Sequence, residues 1–132
     1  MEMEFAQTEV FFAAETGNYN KIDEYISQGG DVNIMNTEGE TLLMFAADYG
    51  HNEICRMLIA AGAKVDAQSE YQDITALMIA ASCGFEDVCE ILIDAGANIN
   101  LQDFRNRTAF YYANKNNYKS LCKYLAQKGA VV

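Results

Sequence analysis

Few residues of this chain could carry out chemistry. The 132 residues contain one histidine, His51, and four cysteines. A nucleophilic enzyme needs a serine or cysteine beside an imidazole that a third group orients, and the spacing of these residues indicates no such set. Cys-x-x-Cys pairs, His-x-x-x-His pairs and glycine-rich phosphate loops are absent from the sequence. The sequence therefore predicts no catalytic residue, no metal site and no cofactor.

Paired carboxylates could do acid–base chemistry or bind a cation, and examples are Glu38/Glu40 and Glu86/Asp87. Both pairs fall in predicted turns or helix starts, where solvated acidic side chains are ordinary. His51 follows a glycine at the predicted start of a helix, and a structural role is favoured there. What the chain does therefore depends on the surface that its elements present to a partner.

The elements that position these residues are repeated. A threonine that opens an apolar stretch recurs at intervals of 33, 34 and 33 residues, at Thr8, Thr41, Thr75 and Thr108. A glycine followed by Gly or Ala keeps the same spacing at positions 29, 62, 96 and 129. A period near 33 over the whole length predicts a stacked-repeat solenoid, an architecture that presents a binding surface.

Each unit is predicted to contain two helices. The threonine hydroxyl is expected to cap the first helix, at Thr8 as in the other units, and an apolar run with paired alanines follows. The residues expected to end this helix in the left-handed conformation are Gly17, Gly50, Gly84 and Asn117. The second helix carries one apolar stripe, as in residues 53–59. A tight turn precedes the next threonine, and the residues two positions before it are Gly39, Asp73 and Asn106.

This order of helix, turn, helix and long turn resembles the ankyrin repeat. Residues 40–51, ETLLMFAADYGH, are similar to the family's TPLHxAAxxGH, and residues 95–100, AGANIN, are similar to its GADVN. The resemblance implies an all-α solenoid of helix-turn-helix units joined by long hairpin-like turns. We expect a single domain over residues 1–132, with units at residues 3–35, 36–68, 70–102 and 103–132.

Departures from the family pattern predict how the units pack. The chain has no proline, and the family's histidine is replaced by Phe11, Met44, Met78 and Tyr111. The hydrogen bonds of that histidine between repeats are therefore expected to be absent, and apolar stacking is expected to stabilise the units instead. Tyr111 and Tyr124 are expected to face the core, because they align with apolar residues of other units.

Three of the four cysteines, Cys55, Cys89 and Cys122, occupy one position in successive units. Stacked helices lie roughly 8–10 Å apart, whereas a disulfide needs Cα atoms within about 7 Å. We interpret these cysteines as small, reduced core residues of a reducing compartment.

Charge is distributed unevenly along the chain. The net charge is −10, yet residues 103–132 carry six basic side chains and one acidic one. The acidic balance disfavours nucleic acid and anionic membranes as partners. No segment is long and apolar enough to span a bilayer, and the N-terminus lacks the basic region of a signal peptide. A cytoplasmic location is expected, with the periplasm or secretion as the alternative if a signal peptide had been removed.

The family resemblance also implies where a partner binds. The long turns before each threonine project as finger loops, and the first helices line a concave groove beside them. Contacts are therefore expected at the residues before each threonine and at the last turn of each first helix. Exposed aromatic side chains flanked by charges are typical of binding hot spots, and arginine is suited to carboxylates. The residues predicted on this basis to contact a partner are Phe5, Glu38, Glu40, Asp48, Tyr49, Tyr71, Gln72, Ile74, Phe104, Arg105, Arg107 and Lys115.

The function that we predict is recognition of a protein through the concave groove and the finger loops, without catalysis, by a chain that is monomeric when free. A four-unit chain without further domains resembles the small kinase-inhibiting ankyrin proteins and small bacterial ones that neutralise an enzyme. We therefore expect an enzyme partner that is inhibited or protected. A passive adaptor or scaffold is the main alternative, and an enzyme that uses Cys83 or His51 is a weaker one. The irregular repeats argue against a consensus-designed protein.

Overall fold

A computed structural model describes the backbone of residues 2–132 and the side chains of residues 7–132. Eight helices lie within these residues, in four successive pairs. Their bounds are α1 Glu2–Thr16, α2 Tyr19–Ser27, α3 Leu42–Asp48, α4 Asn52–Ala60, α5 Ala76–Cys83, α6 Glu86–Asp94, α7 Ala109–Lys115 and α8 Lys119–Gln127. No helix in this part of the chain has the length and hydropathy needed to cross a membrane.

The helices form two layers. The inner layer consists of α1, α3, α5 and α7, which pack on one another in chain order, and α2, α4 and α6 pack in the same order in the outer layer. Each inner helix also packs on the outer helix that follows it. The predicted all-α repeat solenoid is confirmed.

Three of the four predicted threonine caps are present. The hydroxyl oxygens of Thr41 and Thr75 each accept a hydrogen bond at 3.2 Å from the backbone N–H three residues on, and Thr108 does so at 3.3 Å. The backbone N–H of Thr41 in turn donates to the thioether of Met44 at 3.5 Å. The methionine that replaces the family's histidine therefore still closes the first turn of α3.

The predicted cap at Thr8 is wrong, because α1 begins at Glu2 and includes Thr8 in its interior. In the other units the residue two positions before the threonine has a positive φ, 73° at Gly39, 54° at Asp73 and 62° at Asn106. That conformation breaks the helix. Unit one has Ala6 at this position, and alanine strongly prefers the right-handed helix, so α1 continues through the expected boundary.

Loss of one threonine cap is expected to destabilise the stack measurably. In a Thr75→Ala variant the buried N–H of Met78 has no acceptor, and the free energy of unfolding should fall by about 1 kcal/mol. Urea denaturation followed by circular dichroism measures the change. Thr75→Ser, which keeps the hydroxyl, is the matched control, and an equal loss in both variants would show that packing of the methyl group matters rather than the cap.

The core lies between the two layers and between successive inner helices. Pairs of fully buried alanines let the inner helices approach closely, and Leu58, Leu92 and Leu125 are completely buried at one repeat position of the outer helices. All four cysteines are free. Burial raises the pKa of Cys55 and of Cys89 to about 12, so both are protonated core residues at neutral pH.

Contrary to the expectation from the sequence, Tyr111 does not face the core. It is 39% exposed, and Tyr124 is only half-buried, whereas Met44 and Met78 at the position of Tyr111 are buried. The difference arises because α5 covers one side of α7, while the described residues supply no inner helix on its other side. An apolar residue at a repeat position is buried only if the next unit covers it.

Side-chain hydrogen bonds join the long turns of successive units. The Asn33 amide donates to the carbonyl of Gly62 at 3.1 Å and accepts from the N–H of Lys64 at 2.7 Å. Asn100 bonds in the same way to Gly129 and Val131. These bonds fix the spacing of the units on the side of the stack formed by the turns after the outer helices.

Candidate protein-binding surface

A cleft of about 290 Å³ lies on the inner layer where the finger loops meet α3, α5 and α7. Four of the predicted contact residues, Glu40, Asp48, Gln72 and Ile74, line this central cleft together. The sequence did not identify most of the other lining residues, which are Met44, Ser69, Met78, Ile79, Ser82, Cys83 and Tyr112. The cleft therefore has an apolar floor with carboxylates at its edge.

The finger loops are held rigidly by hydrogen bonds at their bases. Asn36 Oδ1 accepts from the backbone N–H groups of Glu38 and Glu40, each at 2.9 Å. Asp103 Oδ1 accepts in the same way from Arg105 and Arg107, each at 2.9 Å. Neighbouring fingers are also linked through their backbones, from Glu70 to Glu38 at 3.2 Å and from Phe104 to Gln72 at 3.0 Å. The predicted contact residues therefore project from a preorganised surface, which lowers the entropic cost of binding.

Two predicted aromatic contacts at the finger tips are well exposed. Tyr71 is 75% exposed and Phe104 is 49% exposed. Ile74 differs from the expectation of an exposed position, because it is half-buried and packs against the core. Lys115 ends α7 as an exposed side chain. The side chain of the remaining predicted aromatic, Phe5, lies outside the described residues.

Tyr49 bridges two units. Its hydroxyl donates to Glu15 Oε1 at 2.9 Å, and its ring stacks on His51 at a centroid distance of 6.4 Å. The hydrogen bond with the Glu15 carboxylate, and then the charge of that carboxylate, raise the pKa of Tyr49. The ring is still 49% exposed, so a partner could contact the aromatic face while the hydroxyl stays bound within the stack.

A buried carboxylate organises the finger loop of the fourth unit, residues 103–107, which we call the fourth finger. Asp103 is 4% exposed, and its Oδ2 accepts hydrogen bonds from Arg107 Nε at 3.0 Å and from the Tyr112 hydroxyl. Burial acts to raise the pKa of Asp103, but the hydrogen bonds from Tyr112, Arg107 and Arg105 outweigh it and hold that pKa below its usual value. Burial, followed by the hydrogen bond to this carboxylate, raises the pKa of Tyr112 to about 12. The cluster is therefore ionised at Asp103 and protonated at Tyr112 at neutral pH.

Arg105 and Arg107 are not equivalent, although both are expected from the sequence to offer donors suited to carboxylates. Arg107 pairs with Asp103, and its guanidinium lies 5.2 Å from the Tyr112 ring centroid and 5.9 Å from that of Phe104. Arg105 is exposed and lies over Phe104 at 5.1 Å. The guanidinium of Arg105 remains available to a carboxylate on a partner, whereas Arg107 mainly holds the finger and its aromatic ring in place.

The sequence patterns did not identify three strongly exposed apolar residues, namely Phe12, Tyr19 and Met35, at 62%, 50% and 58% exposure. Phe11 turns inward and contacts Phe45 at a ring distance of 5.1 Å. Because adjacent residues of a helix point in different directions, helical periodicity could have identified Phe12 as an exposed residue. Tyr19 begins α2, and Met35 lies between α2 and α3. The first unit therefore carries its own exposed apolar groups, separate from the central cleft.

The two residues of the enzyme alternative are held in structural contacts. His51 Nε2 lies 2.7 Å from the carbonyl oxygen of Glu15. Cys83 Sγ lies 3.7 Å from the Asp48 carbonyl and from its Oδ1. Burial, and then the charge of Asp48, raise the pKa of Cys83, so the reactive thiolate is disfavoured. Among residues 7–132 no three His, Cys, Asp or Glu side chains are grouped so as to hold a metal ion.

Comparison with known proteins agrees with this architecture. The family described as ankyrin repeats (3 copies) matches residues 10–103 and 75–132. Human ankyrin repeat domain-containing protein 39 is 32% identical over 68 residues, which are 52% of this chain and 37% of that protein. The match thus spans little more than a third of the relative's length. The chain belongs to the ankyrin-repeat family, as the family match, the repeat period and the two-layered helical stack together show.

Proposed function

We propose that this ankyrin-repeat chain binds a protein partner, without catalysis, through the central cleft and the finger tips around it. The observation that carries the proposal is the rigid finger surface on which Tyr71 and Phe104 are exposed. Ankyrin repeats are generally protein–protein interaction modules. Large aromatic side chains on a preorganised surface are the groups that contribute most to protein binding.

The charges around the cleft indicate what the partner presents to it. Glu38, Glu40 and Asp48 lie toward the second unit, whereas Arg105 and Lys115 lie toward the fourth. A partner surface with basic groups at one end and acidic groups at the other would match this order. Such complementarity sets the orientation and the association rate more than the affinity.

Removal of the two fingertip rings is expected to weaken binding without unfolding the stack. Tyr71→Ala/Phe104→Ala should raise the dissociation constant about tenfold or more, while the melting temperature changes little because both rings are exposed. Wild type and variant would be used as bait in a lysate of the source organism, and the affinity of each protein retained by wild type alone would be measured by calorimetry.

Tyr19→Ala is the matched control, because Tyr19 is a similarly exposed aromatic residue at the start of an outer helix. Its affinity for the partner should equal that of wild type. A large drop in the melting temperature of the double variant would identify Tyr71 and Phe104 as packing residues. Equal binding by the double variant would place the docking surface elsewhere.

We further propose that the partner is an enzyme that one copy of the chain inhibits or protects. Four of the predicted contact residues share the central cleft, which supports a one-to-one complex through that surface. Titration of the captured enzyme with the chain should change its activity or its heat inactivation up to one equivalent and no further. Unchanged activity and unchanged inactivation would favour the adaptor. We also infer a reducing compartment such as the cytoplasm, because all four thiols are unpaired.

A further inference from the structure

The residues three and four positions after each threonine lie where successive inner helices meet. Phe11, three residues after Thr8, packs its ring on Phe45, which lies four residues after Thr41. At the next junctions Met44 and Met78, the equivalents of Phe11, line the central cleft with Ile79 and Tyr112, the equivalents of Phe45. We call the residue three positions after each threonine the forward residue, because it lies toward the following unit. The residue four positions after the threonine is the backward residue, because it lies toward the preceding unit.

The two ends of the stack that the described residues form leave one residue of each kind uncovered. Phe12 is the backward residue of the first unit and is 62% exposed, and Tyr111 is the forward residue of the last unit and is 39% exposed. The exposed forward and backward positions are therefore both aromatic, like the internal Phe11–Phe45 contact.

A second contact of the repeat is also complementary at the two ends. At each internal junction a glycine at the end of an inner helix leaves room for a ring of the next unit, and a Cβ on Gly84 would lie 2.8 Å from the Tyr118 ring. The last unit has Asn117 at the glycine position, and the first unit has Asn18 at the ring position. If the last unit of one copy packed on the first unit of another, Asn117, which is bulkier than glycine, would meet Asn18, which is smaller than a ring. A ring at the position of Asn18 would clash with Asn117.

The charges of the end units are opposite. Residues 1–35 contain seven acidic side chains and one basic one, whereas residues 103–132 contain one acidic and six basic ones. Exposed members of these sets are Glu9, Asp23 and Glu24 in the first unit and Lys115, Lys119 and Lys123 in the last. Opposite charge favours contact between unlike ends and disfavours contact between like ends.

We propose that a second copy of this chain docks head to tail on the first, with Phe12 of one copy packed on Tyr111 of the other. The contact is heterologous, so both ends of every assembly stay open and growth depends on concentration. This self-association uses the ends of the solenoid rather than the central cleft. It revises the expectation of a free monomer for concentrated protein at low salt.

Sedimentation velocity over a concentration series tests the proposal. The weight-average mass of wild type is expected to rise with concentration at low salt and to rise less at high salt, since exposed charges are screened there. Phe12→Arg and Tyr111→Arg should each raise the apparent dissociation constant of self-association about tenfold or more. Both residues are partly exposed, so melting curves should confirm that both variants fold.

A mixture of the two variants distinguishes a head-to-tail contact from a symmetric contact between like ends. Phe12→Arg keeps an intact Tyr111 end, and Tyr111→Arg keeps an intact Phe12 end, so an equimolar mixture should form a dimer that cannot grow. Two outcomes overturn the proposal: a wild type that remains monomeric up to about 1 mM at low salt, or a Tyr111→Arg variant that dimerises alone, which would mean a symmetric contact between like ends. Tyr19→Ala, the exposed control, should associate like wild type.

Discussion

Replacement of Leu92 by Ala is expected to lower the free energy of unfolding by about 2–5 kcal/mol. Leu92 lies in the last turn of α6 and is completely buried between the outer and inner layers. Truncation removes three carbon atoms from a site that is closed by neighbours on both sides along the stack, so the cavity cannot collapse fully. Chemical denaturation followed by circular dichroism measures the loss.

Two further variants test whether the cost follows the repeat register. Leu58→Ala, at the same position of α4 and equally buried, should fall in the same range. Ile93→Ala, one residue along α6 and only half-buried, should cost clearly less. If Leu92→Ala and Ile93→Ala were equally mild, the assignment of the buried face of α6 would be wrong.

Asp103→Asn is expected to cost on the order of 2 kcal/mol at neutral pH, the range for hydrogen bonds to charged groups. The variant can still accept the two backbone N–H bonds at one oxygen, but the other position then carries an amide NH₂ that faces the donors of Arg107 and Tyr112. The fourth finger and its Phe104 ring should loosen as a result. Asp73→Asn, an exposed finger aspartate, is the matched control and should be nearly silent.

The pH dependence of this cost has a definite sign. The hydrogen bonds hold the folded-state pKa of Asp103 below its usual value, so its ionised form stabilises the folded chain. That contribution is complete above the unfolded-state pKa of about 3.9 and is lost as the pH falls through the lowered folded-state value. The stability difference between wild type and Asp103→Asn should therefore be constant from pH 7 to about 5 and shrink below pH 4. A difference that grew on acidification would contradict this assignment.

The fold could be predicted from the sequence because the same helix-capping and turn residues recur in successive units. Three threonines cap their helices. The residues with left-handed conformation two positions earlier, Gly39, Asp73 and Asn106, prevent each helix from beginning before its threonine. The errors are at the two ends. Thr8 lies within a helix because no helix-breaking residue precedes it, and Tyr111 is exposed because the described residues supply no further unit beside it. Periodicity predicts which residues are buried between two units, whereas the burial of the outermost residues depends on the neighbours that each of them has.

The candidate site was less predictable than the fold, because its chemistry depends on contacts between distant residues. The sequence places an acid at position 103 but does not show that Tyr112 and Arg107 fold over it. It also gives no sign that the Tyr49 hydroxyl reaches Glu15, 34 residues earlier. Exposed rings such as Tyr71 could be anticipated from their place in a loop, whereas the difference between Arg105 and Arg107 required the three-dimensional arrangement.

The order of helix contacts in the two layers has a consequence for how the chain folds. Every extensive helix–helix contact joins helices of one unit or of successive units, so no native contact of this kind has to close a loop spanning the whole chain. Folding rates rise as contacts become more local, and a stack of this kind can nucleate on any adjacent pair and grow outward. We therefore expect rapid folding, with amide hydrogen exchange slowest in α3–α6 and fastest at the two outermost helix pairs.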